Sequence, residues 1–170
     1  MRTLVLGGMR SGKSSWAEAA LACTSGVRYV ATGPGTDSDS SWAERIAEHR
    51  RRRPPEWTTV ETADVAGELR ATPDAPTLVD DLGGWLTGLL DRRGWDGAPV
   101  GPEADDLAEA VGAFAAPLVL VSPEVGLSVV PATSAGRRFA DELGRLNQRI
   151  AAVCDRVVLV VAGQPMQVKG

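Results

Sequence analysis

Six short apolar runs recur along the chain: Thr3–Leu6, Val27–Ala31, Thr58–Val60, Thr77–Val79, Leu118–Val121 and Val157–Val161. Most are continuously apolar instead of alternating with polar residues, the pattern of strands covered on both faces of a parallel sheet. Between them the apolar positions change to helical spacing. Ser14 to Leu21 is alanine-rich and follows a glycine-rich loop directly. Ser41-Trp42-Ala43-Glu44 has the form of a capping box, and Pro54 requires the helix it opens to end near Arg53. Leu107, Val111 and Phe114 mark a third helix, and Phe139, Leu143, Leu146, Ile150 and Val153 a longer fourth. Strands alternating with helices predict an α/β fold, a mostly parallel central sheet flanked by helices. Gly33–Ser40 and Gly94–Pro102 read as loops. The first follows a strand end, where such sheets carry functional loops. With no repeat and no linker, residues 1–170 read as a single domain.

Composition narrows the class. The 44% hydrophobic and 24% charged content is that of an ordinary soluble domain. A net charge of −4 gives no basic field for nucleic acid. No apolar run approaches the ~20 residues of a membrane span. The N-terminal apolar stretch is short and runs straight into the glycine loop, unlike a signal peptide. The expectation is a cytoplasmic protein with neither a nucleic-acid partner nor a membrane span. Cys23 and Cys154 lack metal-type spacing. Of 18 basic residues only Lys13 and Lys169 are lysines, which singles out both as positions where arginine would not serve.

Gly7-Gly8-Met9-Arg10-Ser11-Gly12-Lys13-Ser14 matches G-x-x-x-x-G-K-[ST]. Its glycines let the backbone wrap until successive N–H groups face phosphate oxygens, and the following helix adds its positive end. Lys13 is the residue to reach the β- and γ-phosphates, and Ser14 offers a hydroxyl to Mg²⁺. An apolar strand before the loop and a helix-forming run after it predict a P-loop NTPase fold. The carboxylate expected in the metal shell is Asp80, which directly terminates Thr77–Val79. Asp81 is left to hold a loop, cap a helix or contact nucleotide. The chain lacks the [NT]-K-x-D guanine-reading motif, which argues against a regulatory GTPase. His49, the sole histidine, shares a helical face with Trp42 and Ile46 and precedes Arg50–Arg53. Its spacing fits a structural residue, or a neutral imidazole that attacks phosphorus.

Several motifs in order resemble one family, the bifunctional adenosylcobinamide kinase / adenosylcobinamide-phosphate guanylyltransferases of cobalamin biosynthesis. LVLGGMRSGKSSWAE resembles the family's opening G-G-x-R-S-G-K-S. Arg45-Ile46-x-x-His49-x-x-x-Arg53-Pro54-x-x-Trp57-x-Thr59-x-Glu61 is similar to its R-I-x-x-H block. Ser122-Pro123-Glu124-Val125-Gly126 with Val129-Val130-Pro131 resembles its N-E-V-G segment, and Arg138-Phe139-x-Asp141 with Gly144-Arg145-Leu146-Asn147-Gln148 its closing helix. Ser122-Pro123 and Asp81 depart from the residues common there.

The resemblance implies two steps: a γ-phosphate from ATP or GTP passes to adenosylcobinamide, then GMP from GTP gives adenosylcobinamide-GDP. It implies His49 as the guanylylated nucleophile, Lys13 as the second catalytic residue, and Mg²⁺ held at Ser14 and Asp80. Nucleotide contacts fall to Gly7 through Ser14, Asp80 and Glu124, and the assembly to a homotrimer. Arg137, Arg138 and Asn147 are left as supports for the Glu124 loop, Asn147-Gln148 equally as surface. Two other readings stay open from the residues alone: a P-loop kinase of another small metabolite, and a non-catalytic nucleotide-binding or ATPase partner protein.

Overall fold

A computed structural model of the 170-residue chain describes residues 1–33, 54–95, 97 and 99–170. The expected helix from Ser41 to Arg53, His49 and most of the Gly33–Ser40 loop lie outside the described residues.

The strands are β1 (Arg2–Gly7), β2 (Arg28–Ala31), β3 (Thr58–Glu61), β4 (Thr77–Asp80), β5 (Leu118–Pro123), β6 (Arg156–Val161) and β7 (Gln164–Lys169). The described helices are α1 (Lys13–Ala20), α2 (Val65–Ala71), α3 (Leu82–Arg92), α4 (Gly101–Ala113) and α5 (Ser134–Val153). One sheet runs in the order β3-β2-β4-β5-β1-β6-β7, with every pairing parallel except β6 with β7. The six apolar runs are its six parallel strands.

Alternate residues of those strands feed two cores, which is why both neighbours in each run are apolar. Leu4, Val79, Leu118, Leu120 and Val157 pack under α2 to α5, against Leu82, Leu86, Leu90, Leu107, Leu143, Leu146 and Ile150. Val5, Tyr29, Leu78, Val119, Val121 and Val158 pack on the other face, against Ala17 of α1 and Leu21 at its C-cap. A residue added to or removed from any central strand would exchange these two sets.

Three elements go beyond the sequence reading. β7 is exposed at every position and mixes polar residues with Met166 and Val168, so no continuous apolar run marks it. It is placed by the turn: Ala162 and Gly163 have φ of 50° and 76°, the signs a tight two-residue hairpin requires. α3 contains Gly83, Gly84 and Gly88, which weigh against helix by propensity. There a Cβ at Gly83 would come within 2.7 Å of Pro123 Cγ, so a small residue is needed where α3 crosses the end of β5. α2 spans only seven residues and is started by Asp64, whose carboxylate accepts from Gly67 N at 2.9 Å. The expected loop at Gly94–Pro102 is shorter than read, because α4 begins at Gly101 with Pro102 in its first turn.

Candidate functional site

β1 ends at Gly7 and α1 begins at Lys13, so residues 8–12 turn the chain at the carboxyl edge of the sheet. The turn is built from left-handed backbone at Arg10 (φ 56°) and at Gly12 (φ 94°). Gly12 also faces the β6–β7 turn, where an added Cβ would sit 3.1 Å from Gly163 Cα. Gly163 N donates to Ser11 O at 2.8 Å, so the hairpin made by β7 buttresses the loop from outside. Gly7 is enclosed from beneath, with Val160 O 2.8 Å from where its Cβ would be. Met9 stands 83% exposed at the tip.

The polar groups of this loop are loosely engaged. Lys13 Nζ approaches Gly8 O at 3.4 Å, and Lys13 N approaches Ser11 Oγ at 3.4 Å. Ser14, in the first turn of α1, directs its Oγ at Asp80 Oδ1, also at 3.4 Å. These bonds sit at the long limit of hydrogen-bond geometry. Ser14 and Asp80 are 66 positions apart in the chain. They meet because β4 lies one strand from β1 across β5, with Asp80 level with Val121 and Gly7 level with Pro123.

Asp80 has a second partner that sequence reasoning missed. Tyr29, the only tyrosine, donates its hydroxyl to Asp80 Oδ2 at 2.8 Å. Its one sequence signal was a polar tip inside an otherwise apolar strand. Thr32, 6% exposed at the exit of β2, was missed as well. Its hydroxyl donates to Asp81 O at 2.5 Å and accepts from Asp81 N at 3.1 Å. Asp81 takes the capping role: its Oδ1 accepts from Gly84 N at 2.6 Å at the start of α3. Burial, then the adjacent Asp80 carboxylate, push its pKa upward.

Glu124 lies between these groups at the end of β5, its N–H donating to Gly7 O at 3.0 Å. Its carboxylate turns back on its own loop and accepts from Gly126 N at 2.6 Å. Arg137 secures the far end of that loop, donating to Pro131 O and Ala132 O at 3.0 and 2.8 Å. Asn147 is buried, 6% exposed, and not on the surface. It accepts from Ser122 Oγ at 2.6 Å and donates to Pro123 O at 3.0 Å, tying α5 to the end of β5. Gln148 beside it is exposed.

A hydroxyl and a carboxylate converging from different elements are hard oxygen donors of the kind magnesium prefers. No cluster of three or more His, Cys, Asp or Glu suited to a metal occurs among the described residues. An ion at Ser14 and Asp80 would therefore complete its shell with phosphate oxygens and water, the usual arrangement for magnesium at phosphoryl-transfer sites. The residues fit the ion. Among the described residues no helix is long and apolar enough to cross a membrane.

Comparison with known proteins places these features in a group. The family model described as cobinamide kinase / cobinamide phosphate guanyltransferase matches residues 3–168. The chain is 46% identical to the bifunctional adenosylcobalamin biosynthesis protein CobP of Pseudomonas aeruginosa, over 100% of this chain and 98% of that one. It is 37% identical to the bifunctional adenosylcobalamin biosynthesis protein CobU of Escherichia coli, covering 99% and 100% of the two chains. Among solved structures, a type III secretion system ATPase aligns at TM-score 0.59 and 11% identity, covering 98% of this chain and 56% of that one. The P4 protein of bacteriophage phi6, in complex with ADP, aligns at 0.50 and 16%, covering 97% and 54%. The chain thus spans about half the length of each of these two structures, and the likeness shows the fold alone.

Proposed function

The chain belongs to the cobinamide kinase / cobinamide phosphate guanyltransferase family, and from that premise we propose how its carboxyl-edge site performs both steps. The single observation that carries the proposal is the meeting of Ser14 Oγ and Asp80 Oδ1 at 3.4 Å beside the wrapped loop of residues 7–12.

The backbone of Gly7 to Ser14 receives the triphosphate of ATP or GTP, its N–H groups and the start of α1 facing the phosphate oxygens. Lys13, which among the described residues has one long contact, extends to the β- and γ-phosphates. Ser14 and Asp80 hold Mg²⁺, which when bound neutralises phosphate charge and fixes the phosphate geometry. In the first step the cobinamide hydroxyl oxygen bonds to the γ-phosphorus, the bond to the β-phosphate oxygen breaks, and the hydroxyl proton passes to solvent. Lys13 and the loop amides hold the charge left on the departing diphosphate.

In the second step His49 is the nucleophile. Its neutral imidazole nitrogen bonds to the α-phosphorus of GTP, and pyrophosphate leaves toward Lys13. A phosphate oxygen of cobinamide phosphate then bonds to that phosphorus and the histidine departs, which regenerates the enzyme. Two displacements let one site use two acceptors in turn. Glu124, whose backbone is tied to Gly7, contributes to the nucleotide side of the same site.

The assembly is proposed to be a homotrimer. Support for association comes from apolar side chains left outside on the edge hairpin, with Val161, Met166 and Val168 51%, 57% and 64% exposed. A species three times 17.8 kDa by light scattering is expected. A cytoplasmic location follows from the nucleoside triphosphates the reaction consumes.

The test of function is product analysis by chromatography and mass spectrometry. Incubation with cobinamide, ATP and Mg²⁺ should yield cobinamide phosphate, and added GTP should convert it to cobinamide-GDP and pyrophosphate. Phosphorylation without GMP transfer would remove the second half of the proposal. Nucleotide hydrolysis with no corrinoid product would remove both.

A further inference from the structure

Asp80 presents its two carboxylate oxygens to different neighbours. Oδ1 faces Ser14 Oγ at 3.4 Å, and Oδ2 accepts from Tyr29 Oη at 2.8 Å. Register explains how a residue of β2 reaches this carboxylate. Tyr29 pairs with Leu78, and Asp80 is two positions further along β4, on the same face of the sheet. A diagonal neighbour on one face lies within reach of an aromatic side chain. That face is the one covered by α1, whose first turn carries Ser14. The tyrosine ring is 4% exposed and clustered with Ala17, Leu21 and Leu78, so packing sets its direction.

We propose that Tyr29 is a positioning residue for the metal-side carboxylate: its phenol holds Asp80 Oδ2 so that Oδ1 stays turned toward Ser14 and the magnesium position. This rests on the reading of Asp80 as a metal-shell residue. Partners behind a metal-bound carboxylate fix its orientation and tune the affinity of the metal. A carboxylate free to rotate about its Cβ–Cγ bond would spend part of its time with neither oxygen aligned. Tyr29 touches neither phosphate nor acceptor in this role, and acts only through Asp80.

The experiment measures binding of Mn²⁺, as a paramagnetic probe for magnesium, to the protein–GDP complex by electron paramagnetic resonance. Tyr29→Phe keeps the ring and its packing but removes the hydroxyl. It should weaken Mn²⁺ binding by about tenfold, within the range usual for lost outer partners of metal ligands. Turnover at saturating Mg²⁺ should stay near that of the parent while the Mg²⁺ requirement rises. Asp80→Asn serves as the control for the underlying reading. If Asp80→Asn weakens Mn²⁺ binding and Tyr29→Phe does not, the role of Tyr29 is wrong while the metal reading stands. If Asp80→Asn also leaves binding unchanged, both fall.

Because the chain holds one tyrosine, biosynthetic 3-fluorotyrosine labels Tyr29 alone and needs no substitution. Its fluorine resonance should move when Mg²⁺ and GDP are added together, and should not move in Asp80→Asn. A resonance indifferent to Mg²⁺ in the parent protein would overturn the inference. A merely structural tyrosine would lower the melting temperature on substitution without changing metal affinity.

Discussion

The two edges of the sheet hold their lysines in opposite ways. At the amino edge Arg2 donates to both Asp155 oxygens, with contacts of 2.7 Å to Oδ1 and, through its backbone N–H, 2.7 Å to Oδ2. Lys169 Nζ donates to Ala151 O, Ala152 O and Cys154 O at 2.8, 3.1 and 2.7 Å, closing the last turn of α5. Those carbonyls would otherwise lack helix partners. At the carboxyl edge Lys13 Nζ has, among the described residues, one approach, to Gly8 O at 3.4 Å, while Asp80, Asp81 and Glu124 beside it accept short bonds. The chain spends its only two lysines on these two edges. Among the described residues one has three short bonds and one a single long one. Lys169 stabilises the fold; Lys13 keeps bonding capacity for the phosphate proposed above.

The contrast breaks most visibly at Lys13. Lys13→Met should lower turnover of both transfer steps by about 10²–10³-fold, the usual loss for one preorganised donor to developing charge. Because its one contact among the described residues is long, the unfolding free energy should change by less than about 0.5 kcal/mol. Kinetics and denaturant melts on the same preparation check both halves. Lys13→Arg sharpens the point, since a planar fork does not replace a compact ammonium. Turnover should still fall by at least about tenfold, whereas the same exchange at Lys169 should leave turnover unchanged.

Lys169→Met should do the reverse of Lys13→Met. The three carbonyls lose a charged partner and α5 its C-terminal cation, a loss of about 1 kcal/mol in stability with normal turnover per folded molecule. The smallest effect is expected at Asp155. Hydrogen bonds from Arg2 hold its carboxyl below the usual range. A lowered folded pKa stabilises the protein above the unfolded value near 4, and the gain is lost as pH falls through the folded value. The melting temperature of Asp155→Asn should therefore lie below the parent's at pH 7, with the gap closing under about pH 4.

What was legible in the sequence follows the same division. The six parallel strands were readable because both their faces are buried, which leaves unbroken apolar runs. The loop at Gly7–Ser14 was readable because its backbone geometry constrains residue type at fixed spacing: Gly12 at φ 94° and against Gly163, Gly7 against Val160. Asp80 was legible as the residue that ends a strand. β7 was not, since its place comes from the turn at Ala162-Gly163 and not from any apolar pattern. Propensity argued against α3 because its glycines answer to close contacts with Pro123 and Thr32, residues distant in sequence. Tyr29 and Thr32 were hidden for a related reason. Each acts on a group 49 or 51 positions away, and no local spacing records such a partner.

The central claim is that the site around Lys13 carries out covalent group transfer from GTP. Intact-mass spectrometry after incubation with GTP and Mg²⁺ tests it most directly, with His49→Ala and Lys13→Met measured alongside. The account predicts a GMP-sized adduct on the parent protein that is labile in acid, absent from His49→Ala and strongly reduced in Lys13→Met. An unmodified parent mass at saturating GTP, or an adduct that persists in His49→Ala, would contradict it.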